Sequence, residues 1–323
     1  MTTCVLGIDV SKETLDVALL NDRHRTYTQV ANTTDGYRHL DSWVREQGYM
    51  HAGVCLEATG QYSDGVAEFL FNQGYSVSVV NPARIKHYAN SRLRRNKTDK
   101  ADAQLIALYG LKEKPAIWTP PPANFKNLQA LVRHLDDLMD TRQQISNRLT
   151  CGVSTPSVVA SLNDIVVFLD KQIQQTRQAI QTHINNDPEL LRRQELLMTI
   201  PGIGKLTAAK LLGEIRDILE FDSARQLAAY AGLTPRNIFS GSSVHKKTRL
   251  SKTGNANLRK ILYMPALSAK RWNPIVVEFC SRLSLNGLRP KEVLGAAMRK
   301  LLHICFGVLK SGRPFDPDYL RIA

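Results

Sequence analysis

Hydrophobic positions follow one rhythm in the first third of this chain and another beyond it. Up to about residue 115, short apolar runs alternate with stretches of helical spacing. Cys4 to Val10 and Leu15 to Leu20 read as two strands joined by a turn, and Ala52 to Glu57 and Ser76 to Val80 as two more. Apolar residues three and four apart between them predict helices over Gly36 to Gln47 and Ser63 to Gln73. The expectation is an α/β layer that opens on a hairpin. Trp118-Thr-Pro-Pro-Pro122 cannot continue a helix and marks a boundary. Past it, Leu128, Leu131, Leu135, Leu138, Arg142, Ile145 and Leu149 keep heptad spacing, and so do Leu162, Val166, Leu169, Ile173, Thr176 and Ile180. The segment Cys151 to Pro156, with Gly152 and Pro156, separates them. This predicts an antiparallel helical hairpin or coiled coil, within one chain or between chains; an ordinary bundle core satisfies the pattern equally. From about Pro188 the pattern is largely helical.

Charge adds a partner to this outline. The 323 residues suffice for two or three domains with real cores, and carry a formal net charge of +14. Such a balance points to a polyanion, most often nucleic acid. The cations are clustered. Ser223 to Val277 holds ten Lys or Arg and no acid. Arg84, Lys86, Arg92, Arg94, Arg95 and Lys97 form a second acid-free stretch. The five cysteines are scattered, with no CxxC, so neither a zinc site nor a disulfide framework is indicated. No signal peptide and no apolar run near the ~20 residues of a membrane span is present, so a cytoplasmic protein that does not enter the membrane is expected.

Four carboxylates supply candidate chemistry. Asp9 in VLGIDVSK and Glu57 in VCLEATG each close an apolar run. Asp99 and Asp102 in NKTDKADA lie one helical turn apart, so both can face one point. Four acids gathered together repel one another and stay ionised only beside a cation; paired Mg²⁺ ions clamping a phosphodiester suit such a set. Strands ending in acids, with a helix bringing a further pair over them, are the arrangement of the ribonuclease H-like fold. Taken singly, Gly-Ile-Asp is weak, because actin-like ATPases and sugar kinases also begin with an Asp after a strand. Asp99 and Asp102 alone could be acids favoured in a first helical turn behind Thr98 as N-cap. The basic stretch ending at Lys97 argues for the phosphate reading.

The second half carries contacts for phosphate. Thr199-Ile-Pro-Gly-Ile-Gly-Lys-Leu-Thr-Ala208 fits a helix-hairpin-helix. Its Gly202 and Gly204 would form a tight turn whose amides meet a DNA phosphate, beside Lys205 at the start of the next helix. Arg236, Lys246, Lys247, Arg249 and Lys252 lie further on in the acid-free stretch. Within it, Ser240, Ser242 and Ser243 are expected in a flexible loop. They could hydrogen-bond phosphates, or one could be a nucleophile, which needs a base or metal to activate it. His245 is nearby, and nothing local names the base.

With these motifs in place, the chain resembles the DEDD-type transposases of bacterial insertion sequences, the IS-one-ten group. These are recombinases guided by a bridge RNA and related to the pilin-gene invertases. The resemblance runs from GIDVSK through LEATG, NPAR, NKTDKADA, IPGIG, AGLTPR and SGSS to SKTGNANLRKILYMPA and VLKSGRPFD. It implies a RuvC-like α/β domain over 1–118, a coiled coil or helical hairpin over 123–187, and a mostly α-helical transposase domain over 188–323. It implies that Asp9, Glu57, Asp99 and Asp102 are the catalytic and metal-binding tetrad, with Mg²⁺ as cofactor, and that Ser240 is the nucleophile. It further implies a phosphoserine intermediate, donor and target DNA and a bridge RNA as partners, and a tetramer of bacterial, cytoplasmic location. Other readings make different demands. A RuvC-like junction nuclease using water leaves Ser240 dispensable, and a DNA invertase needs no guide. An actin-like ATPase or sugar kinase needs Gly-rich phosphate loops that the sequence lacks. A non-catalytic RNA scaffold tolerates loss of Asp9 or Glu57.

Overall fold

Val5–Val10 forms β1, and its neighbours are assembled around it. It pairs antiparallel with β2 (Thr14–Leu20), which pairs antiparallel with the edge strand β3 (Arg25–Ala31). After helix α1 (Thr34–Glu46), strand β4 (Gly53–Glu57) joins β1 in parallel; after α2 (Gln61–Asn72), β5 (Ser76–Val80) joins β4 in parallel. The order β3-β2-β1-β4-β5, with β2 alone reversed, is the one that the ribonuclease H-like expectation requires. Helices α3 (Pro82–Ser91) and α4 (Asp99–Glu113) come next. The computed structural model describes residues 4–21, 24–49, 52–92, 98–152, 154–240 and 244–318, with backbone alone at 61, 237–240 and 244–247.

Both faces of this sheet are covered, which is why β1 and β4 read as apolar runs and not as alternations. One face buries Leu6, Ile8, Val54 and Leu56 against Leu40, Val44, Val66 and Leu70 of α1 and α2. The other carries α4. Strand β3 was not expected from the sequence. Its residues RTYTQVA are half exposed at the sheet edge and show no apolar run.

The chain forms two compact units, Met1–Pro120 and Pro121–Ala323. The second opens with α5 (Ala123–Thr150) and α6 (Pro156–Asn185). They run antiparallel: Arg142 Nε meets Asp170 Oδ1 at 2.5 Å partway along the hairpin, and Asn124 O meets His183 Nε2 at 2.8 Å at its base. The predicted hairpin is therefore formed within one chain. Its basal half shares one core with the next two helices. Leu128, Val132, Leu135, Ile173, Ile180 and Ile184 pack with Leu190, Leu197, Leu211 and Leu212 from α7 (Pro188–Met198) and α8 (Lys205–Ile215). Then come α9 (Ala224–Tyr230), an antiparallel pair β6 (Pro235–Ser240) and β7 (Val244–Leu250), and three helices: α10 (Ala256–Trp272), α11 (Pro274–Leu285) and α12 (Pro290–Ser311). Among the described residues no helix is long and apolar enough to cross a membrane.

Candidate active site and nucleic-acid surfaces

The acids of the first unit are brought together by how closely α4 lies on the sheet. Gly7 is the contact point: a Cβ there would stand 2.1 Å from Ala107 N and 2.3 Å from Ala103 O. At the other end of the helix, a Cβ on Gly110 would meet Cys55 Cβ at 2.7 Å and Val5 Cγ1 at 2.9 Å. The helix thus runs opposite to β1, with Gly110 over Val5 and Ala103 to Ala107 over Gly7. Asp9 lies two residues beyond Gly7 on the same face, and Asp99 and Asp102 lie in the turn before Ala103. Thr98 caps this helix, its Oγ1 accepting from Ala101 N at 3.3 Å. Glu57 comes directly after Leu56, the register partner of Ile8, so it ends β4 beside Asp9.

The acids feel one another. Asp9 is half buried, and its carboxyl is pushed up to about 6 by burial and then by Asp102, Glu57, Asp99 and Asp16. Glu57 and Asp102 are also half buried, and Asp99 is exposed. Among the described residues no three His, Cys, Asp or Glu side chains form a ready-made metal-holding group. The donors nevertheless suit Mg²⁺, a hard cation that takes one or two carboxylates, keeps waters and leaves places for substrate phosphates.

Asp16 is the acid that sequence reasoning missed. It is 4 % exposed and pairs directly opposite Asp9 in the β1–β2 ladder. Tyr27 Oη donates to its Oδ1, and Gln29 Nε2 donates to its two oxygens at 3.2 and 3.3 Å. An acid inside the apolar run TLDVALL was the available signal.

The basic candidates divide. Arg84, Lys86 and Arg92 are exposed on α3 and at its end, whereas Arg94, Arg95 and Lys97 lie outside the described residues. In the second unit α7 and α8 are joined by the turn containing Ile-Pro-Gly-Ile-Gly. Ile200 and Ile203 anchor it in the core, and Gly204 and Lys205 are exposed at the start of α8. Gly202 has φ of +104°, and a Cβ there would stand 3.0 Å from Ala269 Cβ and Pro265 O, so the turn is braced on α10.

Ser240 differs from its expectation. It is not in a free loop: its backbone ends β6, paired with Val244 of β7, and only residues 241–243 between them lie outside the described residues. Lys246 and Lys247 are on β7. Arg236 and Arg249, both exposed, stand opposite each other across this hairpin. Like charges so placed repel, and a bound anion would relieve them. Lys252 is exposed, at φ of +55°.

After this hairpin, the start of α10 is held by Glu214, which is 1 % exposed. Arg133 grips it with two bonds, 2.7 and 3.0 Å, and Asn255 and Asn257 donate to it at 2.7 and 3.3 Å. Burial alone would raise this carboxyl; Arg133 and the two asparagines outweigh that and hold it below the usual range. Asn255 also caps α10 through Leu258 N, so one buried acid fixes where β7 hands over to α10.

An acid-bearing α/β unit and a basic helical unit in one chain are a plan for chemistry on nucleic acid. The sequence matches a DEDD-type model described as Transposase over residues 6–154, and one described as Transposase IS116/IS110/IS902 family over residues 194–281. It is 38 % identical over 322 residues to the pilin gene-inverting protein of Moraxella bovis, covering 98 % of each chain, and 37 % identical over 320 residues to that of Moraxella lacunata, again 98 % of each. The transposase for insertion sequence element IS1111A of Coxiella burnetii is 25 % identical over 287 residues, 80 % of this chain and 75 % of that one. The chain belongs to the IS116/IS110/IS902 family of transposases. Among solved structures, T. thermophilus RuvC in complex with a Holliday junction substrate aligns over 36 % of this chain and 98 % of that one, at 15 % identity and a TM-score of 0.28.

Proposed function

We propose that this chain is a bridge-RNA-guided DNA recombinase of an insertion sequence, cutting and rejoining strands through Ser240. The observation that carries the reading is the convergence of Asp9, Glu57, Asp99 and Asp102 under the start of α4, with Asp9 driven toward its neutral form by burial and by its neighbours. Bound Mg²⁺ would neutralise those carboxylates and polarise the scissile phosphate. The chain's own groups then have separate tasks. Asp9 and Glu57, held on adjacent strands, fix the site at the C-terminal ends of β1 and β4. Asp99 and Asp102 close it from α4. Arg84, Lys86 and Arg92, with Gly204, Lys205, Arg236, Arg249 and Lys252, hold phosphates along the nucleic acids.

In the proposed step the Ser240 oxygen bonds to the scissile phosphorus and loses its proton. The bond from phosphorus to the leaving strand breaks, and that strand's oxygen takes up a proton. Rejoining is the reverse with a different strand: its hydroxyl attacks the phosphoserine, and Ser240 regains its hydrogen. No phosphodiester is lost to water, so no nucleotide triphosphate is needed. Four chains would share their sites in a tetramer.

Trapping tests this reading. Strand cleavage by the wild type should leave a denaturation-resistant protein–DNA adduct, absent in Ser240→Ala and retained in Ser242→Ala and Ser243→Ala. Recombination by Ser240→Ala near the wild-type rate, or an adduct on another serine, would sink it. The pilin gene-inverting relatives favour a second reading, inversion without a guide. Nuclease-treated protein that recombines unaided would establish that alternative.

A further inference from the structure

The outward side of α10 is unlike the solvent face of an ordinary helix. Its inner side buries Leu258, Leu262, Pro265, Ala266 and Ala269. A helix with one face so occupied normally turns polar residues outward. Here Tyr263 is 49 % exposed, Met264 67 %, Leu267 38 % and Trp272 73 %. Met264, Leu267 and Arg271 succeed one another at spacings of three and four, one continuous stripe, with Tyr263 and Lys270 along its flank. No acid occurs in the sequence from Ser223 to Val277. Lys260 is engaged with Asp140 Oδ2 at 2.7 Å, which leaves Lys270 and Arg271 as the cations of this strip.

Three features say what covers it. Tyr, Trp, Met and Arg occur at protein–protein interfaces too, so composition does not choose the partner; the lack of any acid from Ser223 to Val277 favours a polyanion. Exposed aromatic rings beside cations are how unpaired bases are held, the ring stacking on the base and the cation meeting the next phosphate. The C-terminal end of α10 packs its inner side on the turn before α8. Asn273 Nδ2 donates to Pro201 O at 3.4 Å, and Gly202 is pressed on Ala269. Trp272 therefore ends the helix at the Pro201–Gly202 turn, which leads two residues on into the exposed Gly204–Lys205 start of α8, where a phosphate would dock.

We propose that α10 holds unpaired nucleotides at two points, Tyr263 on its outer face and Trp272 at its C-terminal end, each ring meeting a base and Lys270 and Arg271 meeting the adjoining phosphates. This rests on the chain's acting on nucleic acid but not on the serine chemistry. The test uses the full chain without magnesium and without cleavage. Fluorescent 20-nucleotide single strands, one DNA and one RNA of the same sequence, are titrated by anisotropy beside the matching DNA duplex, a length of about one guide-sized segment. Trp272→Ala and Tyr263→Ala should each weaken single-strand binding by roughly 5- to 100-fold while duplex binding stays within about twofold, and Trp272→Phe should restore most of the loss. Whether DNA or RNA loses more identifies which strand α10 holds. Single-strand affinity unchanged in both alanine variants would overturn the proposal. So would equal losses for single strand and duplex, or no rescue by phenylalanine. A fall in sedimentation mass for Trp272→Ala would overturn it in favour of contact between copies of the chain. Failure of the Ser240 adduct would leave these affinities untouched.

Discussion

Asp9 shows the site's logic in one titration. Its carboxyl ionises near 6 in the folded chain, against about 3.9 for an unfolded Asp. Between these values the folded chain binds more protons than the unfolded one, so stability falls as pH rises through the window, and the cost persists above it. Asp9→Asn removes that cost. In EDTA the variant should melt a few degrees above the wild type at about pH 7.5 and level with it at about pH 4. Added Mg²⁺ should raise the wild type and narrow the gap, while the variant loses strand cleavage. A wild type that melts above Asp9→Asn in EDTA at the higher pH would show that the acids do not repel as described. Asp16 adds to this repulsion without being an obvious ligand. Tyr27 and Gln29 occupy its oxygens from β3, which suits an acid that shapes the field around Asp9.

At the scale of elements, the site depends on the seat of α4, and α4 depends on a missing side chain. The neighbours that a Cβ on Gly7 would meet are backbone atoms, which cannot swing aside. Gly7→Ala should therefore lift the helix from the sheet, cost about 1–3 kcal/mol in a denaturant melt, and carry Asp99 and Asp102 away from Asp9. Cleavage should fall with it. Gly53→Ala is the control on the same sheet: its Cβ would meet only Val5 Cγ2 at 3.6 Å and Cys4 O at 3.8 Å, ordinary contact. Equal behaviour of the two variants would mean that close approach at Gly7 does not set the site. In the second unit the same role of a fixed seat falls to Glu214, whose four hydrogen bonds join α5, α8 and the start of α10.

At the scale of the molecule, the buried heptad leucines pack within the chain, while two apolar neighbours of the pattern face outward. Leu135 and Leu169 are 0 % and 7 % exposed within one chain, so charging them would test the hairpin's own packing. On α6, two turns or more from the hairpin tip, Val167 and Phe168 are 70 % and 59 % exposed. A second copy covering that strip would make them the oligomer contact. Val167→Asp with Phe168→Asp should then lower the sedimentation mass with little change in melting temperature, because no buried group is lost. The wild-type mass in that double variant would rule the strip out as an interface. The strands β1, β2, β4 and β5, helices α1 and α2, and the break between α5 and α6 were all legible in the chain, each within a residue or two. Each is a local run whose apolar period declares its conformation. The spacing of Asp99 and Asp102 was legible for the same reason. The edge strand β3, the β6–β7 ladder that takes Ser240 out of a loop, the contribution of Asp16 and the close seat at Gly7 were not. These depend on which backbone lies alongside which, and a periodic pattern says that a face is apolar without saying what will cover it. The sequence alone thus determined most elements of the first unit and pointed to most of the acids; tertiary packing decided that those acids meet, because only the approach of α4 to β1 brings charges ninety residues apart in the chain to the C-terminal ends of β1 and β4.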